Sequence, residues 1–184
     1  MEKLMNRREF IRIIGGASAI SAMAPNYAFS NPALSQDGIL LEASTFANNG
    51  GWLLDTQFYQ QMGGCFLLAH GMGQPVKNAV TTIEAPSAGD YFIHVRTRDW
   101  CPGNWDAPGQ FKVLVNGSPL KAIFGTETGW AWQNGGSIPL KAGKNKIELQ
   151  DLTGFEGRMD AIYFSKEATP NLPNDPKDLF GWKD

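Results

Sequence analysis

Charge is scarce in this 184-residue sequence, where Asp, Glu, Lys and Arg together make up 18%. The two signs nearly cancel, with 16 basic residues against 18 acidic ones and a formal net charge of −2. Nucleic-acid surfaces need basic residues gathered on one face. No basic stripe runs through the chain, which argues against such a partner. Cysteine and histidine are rarer still, at two each, too few for a zinc site built on repeated Cys or His pairs. No apolar run approaches the roughly 20 residues that cross a bilayer. Catalytic signatures are missing as well. There is no Gly-x-Ser-x-Gly elbow and no His-Glu-x-x-His helix. Asp and Glu are scattered, and no pair stands out for the two facing carboxylates of a glycosidase. The chain therefore reads as a non-enzyme, for want of a catalytic constellation.

Other residues are plentiful. Hydrophobic residues reach 42% and aromatic ones 11%, with six Trp, 21 Gly and 11 Pro. That profile belongs to a folded, turn-rich domain, since disordered chains are charged and poor in aromatics. The length suits one domain with tails.

The first thirty residues read as an address. Asn6-Arg7-Arg8-Glu9-Phe10-Ile11-Arg12 resembles the twin-arginine export signal, Ser/Thr-Arg-Arg-x-Phe-Leu-Lys. A weakly apolar stretch, Ile13 to Ala24, follows it, and Ala28-Phe29-Ser30 supplies a small-x-small cleavage site. The mature chain would start near Asn31, in the periplasm or outside the cell. It would keep 12 basic and 16 acidic residues. Ile14-Gly15-Gly16-Ala17-Ser18-Ala19 is a poor dinucleotide-binding turn, because no strand precedes it. Export into an oxidising compartment leaves two alternatives for Cys65 and Cys101, a disulfide or free thiols.

From Ile39 onward the period is two. Tyr91, Ile93, Val95 and Thr97 share one face of a strand, and Phe92, His94, Arg96 and Arg98 share the other. Phe111, Val113 and Val115 alternate with Lys112 and Leu114. This marks antiparallel strands with one buried face. Strands are expected at Ile39–Phe46, Trp52–Asp55, Cys65–Ala69, Asn78–Glu84, Tyr91–Arg98, Gln110–Asn116, Leu120–Phe124, Ala131–Gln133, Gly136–Leu140, Lys146–Asp151 and Met159–Ser165. A short helical turn is expected at Thr56–Met62. Asn116-Gly117 suits a tight hairpin, because both residues tolerate positive φ. Asp151 and Arg158 flank a loop that an ion pair between them would close. The fold expected is all-β, an antiparallel β-sandwich of jelly-roll form. Residues 31–166 form the sandwich. Residues 167–184, with Pro170, Pro173 and Pro176, read as a Pro-rich tail or linker. Phe180 and Trp182 are odd for a free tail and point to docking or to the start of a further element.

Several segments carry a family resemblance. They include Gly50-Gly51-Trp52-Leu53-Leu54-Asp55-Thr56-Gln57, Leu68-Ala69-His70-Gly71-Met72-Gly73, Val95-Arg96-Thr97-Arg98-Asp99-Trp100 and Asp151-Leu152-Thr153-Gly154-Phe155-Glu156-Gly157-Arg158. In these the chain resembles the small β-domain attached to certain exported bacterial FAD-dependent oxidoreductases. The chain has no flavin fingerprint of its own, so the resemblance implies an accessory module. More distantly, Leu41-Glu42-Ala43 and Asp160-Ala161-Ile162-Tyr163-Phe164 resemble the first and last strands of galactose-binding-like jelly rolls used as carbohydrate-binding modules. That resemblance implies a structural calcium ligated by Glu42 and Asp160. Calcium takes six to eight oxygens, and no further acidic residue stands beside either position.

The loop aromatics are the informative functional residues. Trp100 and Trp105 lie in a Pro- and Gly-bearing loop, and Trp130 and Trp132 lie two apart, on one face of a strand. Sugar recognition needs flat aromatic faces for C–H surfaces and planar polar groups for hydroxyls. Arg98 and Asp99 adjoin Trp100, and Asn104, Gln133 and Asn134 also lie beside these Trp residues. The bland alternative is that the rings cap the end of the sandwich. His70 and His94 are isolated, and a hydrogen-bonded or solvated role suits them better than catalysis. The function expected is an exported, non-catalytic carbohydrate-binding or accessory module of a sugar-active system. The alternative is a structural domain docked to an FAD-dependent oxidoreductase.

Overall fold

The computed structural model describes residues 38–183. The proposed export signal lies outside the described residues. Ten strands and two short α-helices follow in chain order, with one 3-10 turn at Ala43–Thr45 after the first strand. They are β1 (Ile39–Glu42), β2 (Leu53–Asp55), α1 (Tyr59–Met62), β3 (Phe66–His70), β4 (Ala79–Ala85), β5 (Gly89–Thr97), β6 (Phe111–Val115), β7 (Ser118–Pro119), β8 (Ala131–Leu140), β9 (Gly143–Asp151), β10 (Phe155–Ser165) and α2 (Pro176–Lys183). One sheet has the order β2-β3-β10-β5-β8, with β1 also paired to β10, and the other has the order β4-β9-β6-β7. β10 is long enough to hold β3 along one half of an edge and β1 along the other. This is the antiparallel sandwich that the alternation predicts.

Several boundaries differ for local reasons. The two strands expected at Ala131–Gln133 and Gly136–Leu140 are one strand, β8, with a register shift opposite Ile93. Gly135 and Gly136 form the irregularity. A Cβ on Gly135 would stand 2.9 Å from Phe124, and Gly136 has φ of 81°. The Asn116-Gly117 hairpin is as expected, with φ of 51° and 83° and Val115 opposite Ser118. Leu120–Phe124 is not a continuous strand, and only Phe124 bridges to Phe111.

The two sheets bury different amounts of themselves. β4 and β6 alternate between buried and more exposed residues, as strands with one wet face do. β10 is buried at every residue from Gly157 to Ser165, and β5 from Ile93 to Thr97. The inner faces meet in the main core, with Tyr91, Ile93, Val95, Phe111, Ile147, Ile162 and Phe164. The outer face of the larger sheet is covered by two smaller clusters. Met62, Phe66 and Trp130 make one, and Tyr163, Leu179 and Trp182 the other. Residues of the expected tail or linker are thus part of the packing. Trp182 lies edge-on to Trp132 at 5.7 Å and to Tyr163 at 5.5 Å. A second register shift between Met159 and Ala161 lets Asp160 and Ala161 both avoid the main core.

Candidate functional site

β5 delivers its last residues into the loop that holds the expected ligand groups. Asp99 is 5% exposed. Its Oδ1 accepts the Cys101 N–H at 3.0 Å, and its own N–H donates to Glu127 O at 2.6 Å. Asp99 is thus nearly buried, and these two bonds anchor the root of the loop. Trp100 is half-buried. Its Nε1 donates to Phe155 O at 2.7 Å, and the Arg158 guanidinium lies 5.5 Å from its ring centroid. It ties the loop to β10.

Trp105 is different, being 61% exposed. Its Nε1 donates to Cys101 O at 2.9 Å. A Cβ on Gly103 would lie 2.3 Å from the indole, so the ring lies where a side chain at 103 would stand. The polar atom of the indole is satisfied inside the loop. What remains outward is a flat apolar surface in a fixed place.

Trp130 and Trp132 share the outer face of the larger sheet, as their spacing predicts, but neither is an open platform. Trp130 is 9% exposed and meets Phe58 and Phe66 edge-on at 5.8 and 5.5 Å. Trp132 donates from Nε1 to Pro173 O at 2.9 Å and is half-buried against Trp182. Beside Trp130 is a recess of about 230 Å³, lined by Gln61, Arg96, Arg98, Trp130, Asn174 and Pro176. The Arg98 guanidinium lies 5.2 Å from the Phe58 ring centroid, and its Nε donates to Asp99 O at 3.2 Å. Asn174 fixes one wall, accepting from Arg96 Nε at 3.0 Å and donating to Trp130 O at 2.9 Å.

Asp160 lies fully buried behind this recess. Its Oδ2 accepts from Arg96 Nη1 at 2.8 Å, and its Oδ1 accepts from Lys183 Nζ at 2.7 Å. Lys183 also donates to Met62 O at 2.9 Å. Burial lowers the Arg96 pKa from its ordinary value, against the opposing pull of Asp160. A calcium ion at Glu42 and Asp160 would have to share the Asp160 oxygens with two cations. Among the described residues, no group of three or more His, Cys, Asp or Glu is placed to hold a metal. The expected calcium pair therefore does not fit the ion as these side chains are arranged.

Other expectations resolve locally. Asp151 does not pair with Arg158. Its oxygens accept backbone N–H groups of Val76, Thr153 and Gly154, while Arg158 pairs with Glu156 at 2.9 Å. Burial also lowers the Arg158 pKa, ahead of the opposing effect of Glu156. Cys65 and Cys101 are free thiols, and burial raises the Cys65 pKa. His70 meets Glu156 at 3.1 Å on an exposed surface. Gln61, Arg96, Asn174 and Lys183 were not among the expected site residues. The sequence carries one faint signal for Arg96, its place on the outer face beside His94 and Arg98. It carries none for Asn174, in the irregular segment before α2, or for Lys183, at the end of α2.

Fold and site together define a class. The chain is a two-sheet antiparallel sandwich with one exposed, pinned indole and one arginine-lined recess on the larger sheet. Solved carbohydrate-binding modules have the same fold. A family 35 carbohydrate binding module from an environmental isolate is 26% identical, with TM-score 0.51, over 73% of this chain and 98% of that one. A family 35 module from Clostridium thermocellum is 21% identical, with TM-score 0.56, over 69% and 98%. The Podospora anserina GH26-CBM35 beta-(1,4)-mannanase is 18% identical, with TM-score 0.57 over 77% of this chain, and the match spans 29% of the mannanase chain. No family model matches the sequence, and no curated protein matches it.

Proposed function

We propose that this chain is a non-catalytic carbohydrate-binding module, exported by its N-terminal signal and serving as an accessory to a sugar-active system. The observation that carries the reading is Trp105. This indole is 61% exposed yet fixed by a hydrogen bond and by its seat over Gly103, so a stacking ligand would not have to order it on binding. Solvent-exposed aromatic faces on loops are where flat ligands stack. The likeness to solved carbohydrate-binding modules supports the same reading.

The test is a glycan-array screen of the parent chain, followed by affinity and unfolding measurements on Trp105→Ala and Gly103→Ala. Trp105→Ala should lose at least tenfold in affinity, about 1.4 kcal/mol. Its stability should stay within about 0.5 kcal/mol, because the ring is a surface group. Gly103→Ala should also weaken binding, since its Cβ displaces the exposed ring. A parent that binds no glycan overturns the reading. The task would then pass to docking against a partner such as an FAD-dependent oxidoreductase, for which the structural likenesses give no support.

A further inference from the structure

We propose that Trp100 is the positioning residue of the Trp105 platform: it takes no saccharide itself and sets where the exposed indole stands. The inference rests on the proposed function for the use made of Trp105, and on the contacts of the loop for the part played by Trp100.

How Trp105 is held makes the first argument. Its Nε1 donates to Cys101 O at 2.9 Å, so the ring is fastened to the residue that follows Trp100. Trp100 in turn is fastened outside the loop, where its Nε1 donates to Phe155 O at 2.7 Å. That carbonyl stands beside a bulge. The ladder between β10 and β3 shifts register between Phe155 and Gly157, and Glu156 there has φ of 59°. A bulge re-aims the groups next to it. The Arg158 guanidinium lies over the Trp100 ring at 5.5 Å and adds a cation–π contact. Arg158 is itself held, donating from Nη1 to Glu156 O at 3.1 Å and from Nη2 to Glu156 Oε2 at 2.9 Å. A shift of Trp100 would carry the Cys101 carbonyl with it, and with that carbonyl the ring of Trp105.

Where the loop returns makes the second. A Cβ at Gly109 would stand 2.9 Å from Glu156 O and 3.0 Å from Trp100 Cδ1. The returning chain therefore fits against the bulge and the ring because residue 109 has no side chain. Pro108 O accepts from Thr153 Oγ1, and Gln110 O accepts the Leu152 N–H at 3.1 Å. Both feet of the loop thus stand on the segment from Leu152 to Arg158. Asp151 fixes the start of that segment, its oxygens accepting the N–H groups of Val76, Thr153 and Gly154 at 2.9, 3.1 and 3.1 Å. A platform held at both feet has lost its freedom before a ligand arrives, and such preorganisation raises affinity by lowering the ordering cost of binding. The two indoles divide the work by exposure. Trp100 is half-buried with Arg158 over its ring, whereas Trp105 is 61% exposed.

The experiment uses the full chain, labelled with ¹⁵N, and begins without ligand. Trp105→Phe identifies the Trp105 indole resonance. Trp100→Phe keeps an aromatic ring beside Arg158 and removes the N–H that reaches Phe155 O. In that variant the heteronuclear NOE of the Trp105 indole should fall. Its Nε1–H should exchange with solvent about tenfold faster, the worth of roughly one hydrogen bond. Thr153→Val, which frees the other foot at Pro108, should loosen the ring in the same direction. Val113→Ala removes buried methyl groups from the main core. It should lower the unfolding midpoint and leave the Trp105 resonance unchanged, which separates positioning from general destabilisation. Xylohexaose, mannohexaose and cellohexaose are then titrated. Whichever binds the parent should bind Trp100→Phe more weakly, by about threefold or more. A Trp105 ring as fixed in Trp100→Phe as in the parent would overturn the inference, and weaker binding with the ring still fixed would make Trp100 a ligand contact instead. Equal loosening in Val113→Ala would overturn it too. The two proposals fail separately. A ring loosened in Trp100→Phe, in a chain that binds no glycan, leaves only the positioning. Glycan binding with the ring equally fixed in both forms leaves only the module reading.

Discussion

Asp160 has no exposed surface, yet it holds a charge between two cations. A buried carboxylate is costly unless its oxygens are met. Here one oxygen is met by an arginine of β5 and the other by the lysine that ends α2. The ammonium of Lys183 joins a carboxylate oxygen to a backbone carbonyl, Met62 O, which are the donor types a hard metal ion would take. The residue-scale prediction follows from that occupancy. A ligand that binds only the native state raises the melting temperature by mass action. With Asp160 already engaged, the melting curves in excess calcium and in excess chelator should coincide. A calcium-dependent rise of several degrees would show that the ion displaces Lys183.

At the scale of elements, α2 is the cover of a sheet. β10 and β5 bury their outer faces only because α1, the segment from Leu172 onward and α2 lie across them. Trp182 does much of that covering, at 7% exposed between Trp132 and Tyr163. Trp182→Ala should therefore cost about 3–5 kcal/mol, read from denaturant unfolding. A loss below about 1 kcal/mol would mean that the segment behaves as the linker its prolines suggest. The sequence made the strands legible because alternation is a local property. It hid the cover because the covering residues contact partners far along the chain, as Lys183 does at Met62, 121 positions away. It also hid the second buried face, because His94 and Arg96 stand where an apolar pattern would have announced burial.

For the whole molecule, pH is the condition that such a buried face should make stability sensitive to. His94 is 7% exposed, its Nε2 has no hydrogen-bond partner among the described residues, and burial lowers its pKa from the ordinary value of 6.5. Below that value the unfolded chain takes up a proton that the folded chain still refuses. The contribution of His94 is thus fully present above about pH 6.5 and is lost as the pH falls toward the lowered folded value. Urea midpoints measured from pH 7.5 to 5 should fall, and His94→Gln should flatten the decline. An identical slope in the variant would place the proton uptake elsewhere. By itself the sequence determined the all-β sandwich, the Asn116-Gly117 hairpin and the gathering of indoles near strand ends. Each of these is written in residues close together, by a period of two or by turn chemistry. Only the tertiary structure decided which of the four indoles stands open, which carboxylate is already neutralised, and that the last residues close the outer face. Those outcomes depend on side chains brought together from distant strands, where burial and charge balance act and local periodicity is silent.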